Sequence, residues 1–400
     1  MIAAALALAV AATATATAGA GDRVRLVRVP GGALQPEVVV DSRGALVLLS
    51  FRGDPAGGDL FVATSADGGA TLGAARRVNA DSSRAIAIGT VRGARLALGR
   101  DDSLHVAWMG SSDAQPRAPK GATPLLYARA ARDAAFEPAR NAITKAVGLD
   151  GGFDVAADGA GRVALVWHAP ERTNDPNADE TARRVWLAAS DDDGKTLAAE
   201  HAIDAPRHGA CACCGMRALF SRPADAQDER LWVLYRCARE TKHRDMHALA
   251  LAADDLAGAR AAPRSLELAE WPATSCMMSS AALAADRRGA MVAAWETRGQ
   301  VFFEALDEGG AARPAAGAAK AAPGAGDSRH HPRVAVNAAG EHLLCWTEGT
   351  GWERGGALAW QLYGADGKLV EGGAGRVDGV PAWSFGEPVA LRDGSFVLLY

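Results

Sequence analysis

Asp154-Val155-Ala156-Ala157-Asp158-Gly159-Ala160-Gly161-Arg162-Val163-Ala164-Leu165-Val166-Trp167 is the stretch on which the rest of the chain can be read. A short aliphatic run meets an Asp/Gly turn, and a second apolar run returns and ends on an aromatic ring. Two such runs across turn residues are a β-hairpin. Six further copies follow the same plan: Pro36–Phe51, Arg95–Trp108, Met216–Tyr235, Ala281–Trp295, Pro332–Trp346 and Pro388–Tyr400. The closing aromatics are Phe51, Trp108, Trp167, Tyr235, Trp295, Trp346 and Tyr400. Their spacing is about that of one four-stranded blade.

A third run usually follows each hairpin, as at 60–63, 125–129, 185–189, 246–251, 301–305 and 358–363. The expected fold is therefore all-β: a β-propeller of four-stranded antiparallel blades, seven by this count, six if the terminal pieces merge. The last hairpin ends the chain, so its outer strands must come from elsewhere. The run 23–29 is the natural donor, and closing the ring with both termini removes an exposed sheet edge.

The chain has 400 residues, with 22% charged, 49% hydrophobic and a formal net charge of −4. That balance, with basic residues scattered, argues against nucleic acid or an anionic membrane surface as partner. Residues 2–10 are apolar, and Ala18-Gly19-Ala20 offers a small-residue cleavage site. Residues 1–20 thus read as a signal peptide and 21–400 as one domain. The apolar run is too short to span a bilayer, so the expectation is an exported monomer, periplasmic or secreted, where disulfides are permitted.

Two turns after third strands share one pattern, S-x-D-x-G-x-T: Ser65, Asp67, Gly69 and Thr71, and Ser190, Asp192, Gly194 and Thr196. The aspartates can accept backbone N–H groups, the glycines supply positive φ, and Leu72 and Leu197 would tuck under the blade. This pattern resembles the Asp box, the bacterial neuraminidase repeat of sialidase-like propellers. The resemblance covers the mature chain as architecture and extends to exported members of that family. It implies that these turns mark the bottom face and that ligand chemistry belongs to the top.

With that orientation, unusual residues gather at the top of blades four to six. Cys211, Cys213 and Cys214 lead into blade four, Cys276 with Met277 and Met278 into blade five, and His330-His331 into blade six. One reading is a disulfide from Cys213 or Cys214 to Cys276. The other is a copper or zinc site, or a redox role, on this Cys/His/Met cluster. No cofactor is required by the first reading.

The sialidase resemblance implies three arginines gripping a carboxylate, a tyrosine nucleophile assisted by a glutamate, and an acidic proton donor. Arg236, Arg244, Glu348 and Asp245 are the catalytic candidates, with Arg217, Arg329, Trp352 and Trp383 as ligand-binding candidates. Tyr235 occupies a blade-packing position. The family's F/Y-R-I-P motif has only Val27-Arg28-Val29-Pro30 as a counterpart, on the closing strand. Trp352 and Trp383 could instead stack on sugar rings. The expected function is recognition of a glycan or other small ligand on the top face, with exo-sialidase hydrolysis as its enzymatic form. The alternatives are the metal or redox propeller and a non-catalytic protein scaffold.

Overall fold

The computed structural model describes residues 16–18, 23–146, 148–170, 180–206, 208–221, 229–256, 263–274, 277–285, 289, 291–306, 319–324 and 328–400. Seven four-stranded sheets make up the propeller. Blade one runs Leu34–Val40, Leu46–Arg52, Asp59–Ser65 and Arg76–Arg77 from axis to rim. The innermost strands of blades two to six are Arg95–Leu98, Phe153–Ala157, Arg217–Ser221, Ala281–Ala285 and Arg329–Val336.

Blade seven closes the ring as expected. Its two inner strands, Glu387–Ala390 and Phe396–Leu399, come from the C-terminal end, and Val24–Val27 adds beside them. This joining pair is parallel, Val24 opposite Phe396 and Val27 opposite Leu399, whereas every other strand pair is antiparallel. Ala16–Ala18 forms the rim strand against Val24–Val27, inside the segment expected to be a leader.

Each blade is packed on both faces, which is why its strands are almost wholly apolar rather than alternating with polar residues. Along Val163–Pro170, Val163, Leu165 and Trp167 join the core shared with blade two, and Ala164 and Val166 join the core shared with blade four. Trp108, Trp167, Tyr235, Trp295, Trp346 and Tyr400 all face the preceding blade. Phe51 does not. It faces the following blade, packed in one cluster with Trp108, and the register puts Ser50 at the aromatic position. A one-residue offset reverses the face because strand side chains alternate.

The two S-x-D-x-G-x-T turns are built alike. Ser65 Oγ donates to Asp67 Oδ1 at 2.7 Å and accepts Gly69 N–H at 2.7 Å; Thr71 N–H and Oγ1 reach the two oxygens of Asp67 at 2.9 and 2.6 Å. Ser190, Asp192, Gly194 and Thr196 repeat the same bonds at 2.7 to 2.9 Å. The hydrogen bonds of Thr71, then of Ser65, hold the Asp67 carboxyl down to about 2. Gly69 and Gly194 have φ of 90° and 73°, the left-handed backbone that the bend requires. Leu72 and Leu197 pack against the core edge as expected. Both turns join third to fourth strands, at the same end as the Gly turns of the hairpins. The loops leading into the first strands lie at the other end, the top.

Candidate functional site

The top end of the axis carries charge that the sequence reading passed over. One position on each innermost strand lies opposite the residue preceding the closing-aromatic position. Around the ring these positions hold Glu37, Arg95, Asp154, Arg217, Ala282, Arg333 and Glu387. Three guanidinium groups converge on Glu37: Arg95 at 2.7 Å, Arg217 at 2.7 and 3.1 Å, and Arg333 at 3.4 Å. Arg333 also donates from Nε to Glu387 at 2.7 Å. Burial would raise the Glu37 carboxyl, but Arg217, Arg95 and Arg333 together hold it down to about 2. Glu387, buried beside the Glu37 charge, is pushed up to about 7. Arg217, a ligand-binding candidate, is therefore one member of a grip closed on the protein's own carboxylate. The signal for this ring was one charged residue at the same point of six apolar strands.

Below the ring, toward the bottom face, a cavity of about 370 Å³ runs between aliphatic side chains such as Val39, Leu98, Leu219 and Val336. Above it, on the top face, lies a pocket of about 230 Å³ lined by Gly89, Thr90, Met277, Met278, His330, His331, Thr350, Gly351, Trp352 and Trp383. Four of these hold left-handed backbone without being glycine: Thr90 (φ 61°), Met278 (45°), His331 (53°) and Trp383 (65°). Gln35, whose amide donates to the carbonyls of Ala87 and Trp383 at 2.7 Å, makes a fifth at 53°. Each such conformation costs roughly 1–3 kcal/mol, and strain of this kind concentrates at binding sites.

Trp352 stands 59% exposed at the pocket mouth and meets Trp383 edge to face, ring centres 4.6 Å apart. His330 Nδ1 pairs with Glu296 at 2.8 Å, and that bond raises the imidazole above its ordinary value. Glu296 is buried, and its second oxygen has no hydrogen-bond partner. His331 is lowered to about 3 by burial, so it faces the pocket as a neutral ring.

The structure brings Cys211, Cys213 and Cys214 together, with mutual sulfur separations within 4.8 Å and all three buried. Cys211 and Cys214 are free thiols 2.9 Å apart, while Cys213 has a partner of its own. Burial would raise the Cys214 thiol, yet the Cys211 hydrogen bond and the Arg236 charge bring it down to about 7. Met277 and Met278 pack against this trio and also line the pocket, so the sulfur cluster sits behind the pocket wall. His330 and His331 belong to the pocket. Cys276 lies outside the described residues. Cys345 is a buried core residue between blades six and seven.

The catalytic candidates fall into two groups. Arg236 ends the second strand of blade four, and Arg244 and Asp245 lie in the loop that follows it. Arg236 is buried, donates to Ser279 Oγ at 2.8 Å and to the carbonyls of Arg244 and Glu296, and lies 4.7 Å over the Trp271 ring. Arg244 pairs with Glu180. Asp245 is buried, accepts Trp271 N–H at 2.7 Å, and meets Arg239 at 3.2 Å. Glu348 belongs to blade six, held by Trp346 Nε1 at 2.9 Å, Arg376 at 3.2 Å and Arg329 at 3.3 Å. Arg329 is otherwise spent on the carbonyls of Ala322 and Pro323 and on Gln300 Oε1. Tyr235 is buried in the core between blades three and four, and burial drives its phenol well above the ordinary value.

By sequence the chain matches no family model and no curated protein. By fold it is similar to an α-L-arabinofuranosidase of Fusarium graminearum in complex with an iminosugar inhibitor, at 9% identity and TM-score 0.50, covering 84% of this chain and 93% of that one. An ulvan lyase bound to a GlcA–Rha3S ligand is similar at 9% identity and TM-score 0.50, over 97% of this chain and 92% of that one. An intramolecular trans-sialidase of Ruminococcus gnavus is 12% identical over 91% of this chain and 88% of that one, with TM-score 0.43. At these identities the likeness is one of fold, and the chain is a seven-bladed β-propeller.

Proposed function

We propose that the protein binds a neutral carbohydrate in the top-face pocket, the Trp352–Trp383 pair stacking on the sugar ring. The observation that carries this reading is the cluster of four left-handed non-glycine residues lining one pocket beneath a solvent-exposed tryptophan. Flat apolar sugar faces suit an indole, and His330, Thr90 and Thr350 supply polar groups at the wall. None of the lining residues is lysine or arginine, so the wall offers no guanidinium or ammonium group for a ligand carboxylate. Of the fold neighbours named above, one holds an iminosugar and the other an acidic, sulfated sugar, which supports a carbohydrate as the ligand class; its neutrality rests on the pocket wall.

Exo-sialidase hydrolysis is the weaker form of the reading, because Arg95, Arg217 and Arg333 close on Glu37 rather than on an open space. Should the pocket turn over its ligand, the His330–Glu296 pair is the acid–base group placed to do it. The proposal includes export through residues 1–20 and action as a monomer, supported by the apolar leader; among the described residues no helix is long and apolar enough to cross a membrane. For the upper cysteines the proposal is a Cys213–Cys276 bridge, supported by the engagement of Cys213 while Cys211 and Cys214 stay free. Copper or zinc on Cys211 and Cys214 is the competing reading.

Titration with neutral arabino- and rhamno-oligosaccharides, followed by tryptophan fluorescence and calorimetry, tests the pocket. Binding should fall about tenfold or more in Trp352→Ala, the loss of one stacked ring. A fluorogenic sialoside should not be cleaved. Equal binding by wild type and Trp352→Ala, or preference for sialyllactose, would refute the reading.

A further inference from the structure

Beside the second strand of blade four, a cluster unrelated to the pocket has donors that nothing in the carbohydrate reading uses. Cys237 follows that strand, and the chain returns with His243, Asp245 and His247 at alternate positions, a spacing that lets all three project to one side. The Cys237 sulfur, a carboxylate oxygen of Asp245 and a ring nitrogen of His247 lie within 4.8 Å of one another, all buried. Asp245 Oδ2 is 3.8 Å from Cys237 Sγ and 3.8 Å from His243 Nδ1.

Zinc bonds of about 2.3 Å to sulfur and about 2.0–2.1 Å to nitrogen or oxygen give tetrahedral edges of roughly 3.3–3.6 Å. Asp245 Oδ2, at 3.8 Å from Cys237 Sγ and from His243 Nδ1, lies a few tenths of an ångström outside that edge, and His247 comes within 4.8 Å of Cys237 and Asp245, so the four ligands would draw together on binding, His243 moving the most. The buried Nδ1 atoms of both His243 and His247 have no hydrogen-bond partner. An orphaned buried nitrogen is costly, and a metal would satisfy it.

We propose that Cys237, His243, Asp245 and His247 form a structural zinc site that pins the loop between the second and third strands of blade four. One thiolate, one carboxylate and two neutral imidazoles supply two negative charges, which cancel a divalent ion in a buried place. Supporting contacts are already present: Trp271 N–H holds the far oxygen of Asp245 at 2.7 Å, and His247 Nε2 faces Glu267 at 3.9 Å. Such outer partners orient metal ligands. Arg239 meets Asp245 Oδ2 at 3.2 Å with its side chain 40% exposed, so zinc would displace it toward solvent. Binding releases the Cys237 thiol proton and breaks no covalent bond.

The test uses the full chain, stripped with chelator, titrated with cobalt(II) and then zinc. One cobalt per chain with a sulfur-to-cobalt absorption band, displaced by zinc with a rise in Tm, is expected. His243→Gln, at a half-exposed position, should weaken zinc about tenfold or more with secondary structure intact, and Cys237→Ser should remove the sulfur band. Arg239→Ala should tighten zinc by removing a competing cation, which a plain ion-pair role would not do. Absence of the sulfur band, zinc affinity unchanged in His243→Gln and Cys237→Ser, or Arg239→Ala that only destabilises would overturn the site. The inference is independent of the pocket reading, since sugar binding is measured on other residues.

Discussion

Glu37 sits where three guanidinium groups converge, and Glu387 shares the same corner of the axis, so two glutamates of one charged ring titrate in opposite directions. Glu37 is held down to about 2 in the folded chain. Its contribution to stability is present above the unfolded carboxylate range and is lost as pH falls from about 4.5 toward 2. Glu387 is pushed up to about 7. Its protonated form favours the fold, so its contribution is full below about 4.5 and is lost as pH rises through 7. Glu37→Gln leaves three buried arginines with one anion fewer and should cost about 3–5 kcal/mol at neutral pH. Glu387→Gln, which mimics the protonated carboxyl, should be nearly neutral at pH 5 and more stable than wild type at pH 7, flattening the decline between them. Urea unfolding at pH 5 and 7 measures both; equal losses in the two variants would contradict this account.

At the scale of elements, the hairpins and turns were largely legible because their determinants are local. An Asp/Gly turn between apolar runs specifies a hairpin, and the S-x-D-x-G-x-T bonds all fall within seven consecutive residues. Phe51 shows where local reading stops: its aromatic ring suggested the shared position, but only the pairing of Leu49 with Glu37 reveals the shift to Ser50. The cysteines are a second case. In sequence Cys213 precedes the first strand of blade four and Cys276 that of blade five, and a bridge between them would tie those two sheets together. Non-reducing peptide mapping should recover Cys213 linked to Cys276, with Cys211, Cys214, Cys237 and Cys345 alkylated. An alkylated Cys213 would exclude the bridge.

At the scale of the whole molecule, stability depends on closing the ring. Val24, Leu26 and Val27 are buried between the last hairpin and its neighbouring blades. Burying each such side chain stabilises by about 1.5–3 kcal/mol, so together they rival the whole margin of a typical domain, about 5–15 kcal/mol. A chain starting at Gly21 retains these residues and should keep its Tm within about 3 °C, the rim strand at 16–18 contributing little. A chain starting at Pro30 loses them and should fail to fold or expose a sticky edge. Calorimetry and gel filtration on the two truncations decide it; a stable monomer starting at Pro30 would show that the closing strand is dispensable.

Read alone, the chain points to seven blades, with six as the alternative, and to the strand donor for closure, because turn chemistry and apolar period act between neighbours in sequence; which way up the propeller stands is implied by the Asp-box resemblance. The chain also marks the top face of blades four to six as chemically unusual. The tertiary arrangement alone settles which of those groups meet. Glu37 and Arg217 are 180 residues apart and become partners through the ring; Arg236 is consumed by carbonyls on its own and the next blade. Charge pairing across an axis leaves no local periodicity. The arginines that looked available for a ligand are therefore committed to the protein itself, and the pocket open to solvent is walled by tryptophan, histidine and methionine.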